Sequence, residues 1–187
     1  LNPLTLNKGL RQVVDALLDA GIRYMICGSL ASSRHGEPRS TYDFDVVADL
    51  SPEHAAALTR ELSADFYVDE QLIADAVRIR SSFNLVHLDS GMKIDVFTLR
   101  DREFSRVELA RAISVPTADG DAVMMATAED TLLTKLEWYR KTGDSSDRPW
   151  RDVLGILARQ GGQLDVAYSR RWAARLGILE RALACTA

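Results

Sequence analysis

Leu10, Val13, Val14, Leu17 and Leu18 recur three and four residues apart, which gathers their side chains on one helical face, and Gly21 then offers a left-handed stop. Residues 24–27 form a short apolar run closed by Gly28, the pattern of a buried strand, and residues 29–33 can start a second helix. A loop, His35-Gly36-Glu37-Pro38-Arg39, leads into residues 41–48, which alternate as a second strand. Ser51-Pro52-Glu53 then predicts an N-cap with Pro at the first helical position and a helix reaching about Leu62. Residues 83–88 and 92–98 are two strand-like runs around Asp89-Ser90-Gly91, which is hairpin chemistry, so they should pair antiparallel. A helix is expected over residues 101–111 and a further strand pair over 113–125, around Ala118-Asp119-Gly120-Asp121. From Thr127 on, the pattern is helical: Thr127 caps a helix bearing Leu132, Leu133, Leu136 and Tyr139, a second runs from about Ser146 to Ala158, and a third surrounds Trp172. The chain therefore reads as an α/β or α+β sheet domain, residues 1–126, with a helical C-terminal part, residues 127–187, packing on it.

The hydrophobic fraction, 47%, and the charged fraction, 27%, are those of a globular chain and argue against disorder. No apolar run approaches the ~18 residues a membrane helix needs, and the first residues lack the apolar stretch of a signal peptide, so a cytoplasmic location is expected. Cys27 and Cys185 are too few and too far apart for a disulfide scaffold or a metal knuckle and are expected to be reduced thiols. The net charge of −4 is uneven. Residues 1–134 hold 13 Lys and Arg against 21 Asp and Glu, and residues 135–187 hold 10 against 6. The basic end can attract a polyanion or simply be a solvated face.

The candidate chemistry lies in the carboxylates. On a strand, Asp43 and Asp45 project to one side with Cα atoms ~6.6 Å apart while Phe44 turns inward. In the later strand Ile94 and Val96 take the apolar side and leave Asp95 on the other. Crowded carboxylates raise one another's pKa unless a cation neutralises them, and hard oxygen donors select Mg²⁺ or Mn²⁺. Two ions ~3.5–4 Å apart would suit such a set. Gly28-Ser29, where a strand meets a helix start, permits close backbone approach and aims N–H groups and a hydroxyl at a phosphate.

An apolar strand ending in Gly28-Ser29, a gap of 13 residues, Asp43-Phe44-Asp45 and then Ile94-Asp95-Val96 resembles the DNA polymerase beta superfamily of nucleotidyltransferases. Arg39-Ser40-Thr41-Tyr42-Asp43-Phe44-Asp45 is similar to the R-x-[ST]-x-D-[IL]-D run of its abortive-infection (AbiEii-like, type IV toxin) branch, with Phe in place of Ile or Leu. The segment Glu129 to Lys135 and the pair Arg151-Asp152 look like that branch's later helical elements. The resemblance implies a mixed sheet with flanking helices, and transfer of NMP from an NTP such as ATP to a hydroxyl. It implies Asp43, Asp45 and Asp95 as catalytic and metal-binding residues for two Mg²⁺ ions. It also implies nucleotide contacts from Gly28, Ser29, Arg39, Thr41 and Lys135, with Asp152 in support. The acceptor would be RNA such as tRNA, or protein, and a toxin of this branch would have a cognate antitoxin.

Two other readings stay open: a non-catalytic, antitoxin-like binder of the same fold, and a metal-dependent phosphohydrolase. Lys135 could also be an ordinary exposed lysine, and Asp152 a surface acid paired with Arg148 or Arg151. His35 is expected to be an exposed loop residue, and His54 and His87 have no partner at ligand spacing. Trp138, Trp150 and Trp172 are expected to fill the core. No dinucleotide fingerprint, P-loop or nucleophile elbow is present.

Overall fold

The computed structural model describes residues 3–143 and 147–180, and Cys185 and Ser146 lie outside them. The chain forms two compact units, one of residues 1–27 and 41–125, the other of residues 28–40 and 126–187.

The first unit holds a mixed sheet of seven strands in the order β3-β4-β5-β2-β1-β7-β6. These are β1 (Tyr24–Cys27), β2 (Asp43–Ala48), β3 (Phe66–Tyr67), β4 (Ser82–His87), β5 (Lys93–Thr98), β6 (Ile113–Pro116) and β7 (Ala122–Met125). The β4–β5 and β6–β7 hairpins are antiparallel as their turn residues require, β1 runs antiparallel to β2, and β2 runs parallel to β5. The unit's helices are α1 (Lys8–Asp19), α3 (His54–Leu62), α4 (Glu70–Arg78) and α5 (Glu103–Ala110). The apolar stripe of α1, from Leu10 to Leu17, is fully buried with Met25, Ile26, Val46, Leu85, Ile94 and Val96 of the strands. Gly21 takes the left-handed conformation expected after a helix, with φ +67°.

The second unit is helical: α2 (Gly28–His35), α6 (Ala128–Lys141), α7 (Asp147–Gln160) and α8 (Val166–Arg175). Thr127 caps α6, its hydroxyl oxygen accepting from the Asp130 amide. The core of this unit holds Ala31, Leu133, Leu136, Val153, Ile156 and Trp172. The end of α2 crosses α7 backbone to backbone: a Cβ on Gly36 would stand 2.8 Å from the carbonyl carbon of Gly155. Only glycine permits that approach.

Three expectations are corrected. α3 begins at His54, not at Pro52, because the Ser51 hydroxyl is held by Glu53 and His54 in the turn before it and caps no helical amide. His35 is the last residue of α2 and is 5% exposed, with Nε2 2.8 Å from the Ala126 carbonyl oxygen. Trp138 is 56% exposed, while Trp172 is buried and Trp150 stacks on Tyr139. β3 and α4 were not anticipated at all.

Candidate active site

The parallel pairing of β2 with β5 sets Asp45 directly opposite Asp95 and Asp43 opposite Lys93. The alternate residues Phe44, Val46, Ile94 and Val96 are buried on the other face, so the three carboxylates share one side of two adjacent strands. Lys93 lies among them. Its Nζ is 2.9 and 3.0 Å from the two carboxylate oxygens of Asp95. The hydrogen bond to Asp95, together with the charges of Asp95, Asp43 and Asp45, holds the ammonium above the ordinary lysine pKa despite the opposing effect of partial desolvation. One cation thus feels all three acids, and the donors are carboxylate oxygens throughout. That is a set suited to a hard divalent ion. Thr41 donates its hydroxyl to the Asp43 carbonyl oxygen at 2.9 Å, fixing the chain as it enters β2.

A second polar group is built within the helical unit. Gly28, the first residue of α2, has φ +59°, a conformation that side chains disfavour and glycine accepts. Arg39 spans two partners: Nη2 donates to the Ser29 hydroxyl oxygen at 2.8 Å, and Nε and Nη2 each lie 3.3 Å from a different oxygen of Asp152. Lys135 Nζ is 2.8 Å from Asp152 Oδ2, and the Ser32 hydroxyl donates to the same oxygen at 3.1 Å. The Asp152 and Lys135 side chains are only 9% and 14% exposed. Burial pushes the Asp152 carboxyl up, but the hydrogen bonds and charges of Lys135 and then Arg39 outweigh it and hold it below the usual carboxylate value. Lys135 is therefore no exposed helix lysine, and Asp152 is bonded to Lys135, Arg39 and Ser32, while Arg148 and Arg151 are exposed. With two cations to one carboxylate, the group keeps a net positive charge. Because Arg39 donates to Ser29 Oγ, the serine's own proton is left to donate elsewhere.

No family model matches the chain, and no curated protein matches it. Solved structures do. A nucleotidyltransferase-like antigenic protein from Paracoccidioides brasiliensis aligns over 98% of this chain and 95% of its own, at 16% identity and a TM-score of 0.56. The lincosamide antibiotic adenylyltransferase LnuA, bound to lincomycin, aligns over 83% and 98%, at 14% identity and 0.53. The antibiotic-resistance factor ANT(2″)-Ia aligns over 92% and 94%, at 14% and 0.51. This is the nucleotidyltransferase fold.

Within that fold, sequence reasoning passed over Lys93. It sits two residues before Asp95, so strand alternation alone places it on the acidic face. His87 has acidic neighbours that its spacing in the sequence did not bring out. Among the described residues, one ring nitrogen of His87 and one carboxylate oxygen each from Asp65 and Asp89 lie within 4.8 Å of one another. Asp89 is legible at two residues' distance, but Asp65 is brought there only by the pairing of β3 with β4.

Proposed function

We infer that the protein is a nucleotidyltransferase that depends on a divalent metal and moves NMP from an NTP to a hydroxyl acceptor. The observation that carries this reading is the opposition of Asp45 to Asp95, with Asp43 two residues along and a single ammonium held in their joint field. Asp43, Asp45 and Asp95 would hold Mg²⁺ or Mn²⁺. Such ions, when bound, neutralise the triphosphate and lower the pKa of an attacking hydroxyl. Asp95 is the acid placed to take the acceptor's proton. Lys93 lies against both of its oxygens. Gly28, Ser29, Arg39, Thr41 and Lys135 are the nucleotide contacts in this reading: the Ser29 proton and the Lys135 ammonium meet phosphate oxygens, and Asp152 orients Lys135 and Arg39. The carboxylates, already set side by side by the strands, supply charge where it is needed without reorganising.

The likeness of residues 39–45, 129–135 and 151–152 to the AbiEii-like branch favours a macromolecular acceptor, RNA or protein, and a toxin role with a cognate antitoxin. LnuA acts on a lincosamide, so a small-molecule alcohol is the competing acceptor class. The test is to incubate the purified chain and Mg²⁺ with each α-labelled NTP and with RNA, protein or small-alcohol acceptors. Pyrophosphate release with label on one acceptor is expected, and Asp45→Asn should reduce it by about 10²–10³-fold or more. Label undiminished in Asp45→Asn would sink the assignment. Phosphate release with no labelled acceptor would mean a hydrolase, and nucleotide binding without turnover a binding protein.

A further inference from the structure

We propose a second metal site, remote in sequence from the acids of β2, in which His87, Asp65 and Asp89 bind one transition-metal ion such as Zn²⁺. Two of the ligands are set by the sheet edge. His87 ends β4 and is the register partner of Phe66 in β3, and the Leu88 amide donates to the Asp65 carbonyl oxygen at 2.9 Å, which locks the residue before β3 to the one after β4. Asp89 follows in the turn to β5. One imidazole nitrogen and one oxygen of each carboxylate come within 4.8 Å of one another, close enough for a common ion to draw them in.

The imidazole is buried and held in place, which a surface cluster of acids would not provide. His87 is 3% exposed, and Phe66 packs edge-on at 5.1 Å. Gly9 backs the ring so closely that a Cβ there would lie 3.3 Å from two of its carbons. Nδ1 meets the Ser90 hydroxyl at 2.9 Å, while Nε2 is buried without a hydrogen-bond partner, a costly condition for a ring nitrogen. Asp65 is oriented in turn by Gln12, whose amide donates to Oδ2 at 2.8 Å. With Nδ1–H donating to the Ser90 hydroxyl oxygen, Nε2 keeps its lone pair; such a bond from the ring, and that from Gln12 to Asp65, are what orients ligands around a metal.

The charge balance points the same way. The cation now beside the two carboxylates is Lys8, whose Nζ is 3.8 Å from Asp65 and 3.9 Å from Asp89, beyond hydrogen-bonding distance, on a side chain 66% exposed. Such a contact is easily displaced. One nitrogen and two oxygens form a borderline donor set that favours Zn²⁺, Co²⁺, Ni²⁺ or Mn²⁺ over Mg²⁺ and leaves at least one position for water. An ion there would tie the residue before β3 to the β4–β5 turn and stabilise the sheet edge.

The experiment is equilibrium dialysis of the full chain against ZnCl₂, with Co²⁺ absorbance as a second readout, in a background carrying Asp43→Asn and Asp45→Asn to remove the acid pair of β2. One equivalent of Zn²⁺ should be retained, with visible Co²⁺ bands and a rise in Tm. Asp89→Asn, at an exposed turn position that leaves the core intact, should weaken binding at least tenfold, in the range seen when metal-site partners are lost. Lys8→Ala should tighten binding several-fold, because the competing ammonium is gone. No retained Zn²⁺, or Zn²⁺ retained equally by Asp89→Asn, would overturn the site. Both results are independent of nucleotidyl transfer.

Discussion

Among single residues, Asp152 has the most at stake. Its carboxylate is shared by Lys135, Arg39 and Ser32, and its side chain is almost fully enclosed. Asp152→Asn keeps the shape but leaves the enclosed Lys135 and the partly exposed Arg39 without their counter-charge. A loss of about 2–4 kcal/mol is expected, toward the lower part of the range for breaking buried pairs because Arg39 is 28% exposed. The sign with pH follows from the depressed carboxyl. The unfolded chain binds its proton first, so the stability from Asp152 is complete above the ordinary carboxylate value of about 3.9 and is lost as pH falls through the lower folded value. Urea denaturation between pH 6 and pH 3 checks both points: the variant should start lower and fall less steeply. An unchanged midpoint at pH 6 would show that the shared carboxylate contributes nothing.

At the scale of elements, what was legible depended on whether the signal was local. Caps and turns are written in adjacent residues, so Thr127, the Asp89-Ser90-Gly91 turn and the stop at Gly21 could be read directly. Strand alternation placed Asp43, Asp45 and Asp95, and a continuous sheet was the single assumption needed to bring them together. α4 had a signal that went unread: Asp69 caps it, and Leu72, Ile73, Ala76 and Val77 follow at helical spacing. β3, two residues long, has too few positions to show a period. The burial of His35 was not legible, because its partners come from residues about 90 and 125 positions away. Those contacts have a testable consequence. The Ala126 carbonyl can only accept, so the imidazole donates through Nε2, and burial lowers its pKa while that hydrogen bond partly restores it. With the folded value below the unfolded one near 6.5, the unfolded chain takes up the proton first. Stability is thus complete above about pH 6.5 and is lost as pH falls from there through the folded value. Thermal denaturation at pH 7.5 and 5.5 should show this slope, and His35→Gln, which keeps a donor but cannot titrate, should flatten it.

For the whole molecule, charge divides as the structure does. The sheet unit carries 11 Lys and Arg against 18 Asp and Glu, and the helical unit 12 against 9, so they differ in sign, at −7 and +3. A strongly acidic sheet is consistent with a need for divalent cations, and a basic helical unit with attraction for phosphates. No described helix is long and apolar enough to cross a membrane. The division offers a way to tell the acceptor classes apart before the acceptor is identified. RNA docking on basic residues releases counterions, so its apparent affinity should fall with salt by about 0.7 log units per log unit for each phosphate contacted on a single strand. A neutral antibiotic alcohol releases none. The dependence of KM for acceptor on KCl, at saturating NTP and fixed Mg²⁺, therefore separates them: KM should rise with a log–log slope of about +2 or steeper if RNA is the substrate, as roughly three phosphate contacts would give. NTP binding has its own salt dependence, which saturation removes from the measurement. Reversing the basic face with Arg170→Glu and Arg171→Glu on α8, neither of which is among the residues assigned to the nucleotide, should flatten the slope for RNA while leaving kcat intact. If activity on RNA is found and the slope stays near zero in both proteins, the +3 unit is only a solvated face.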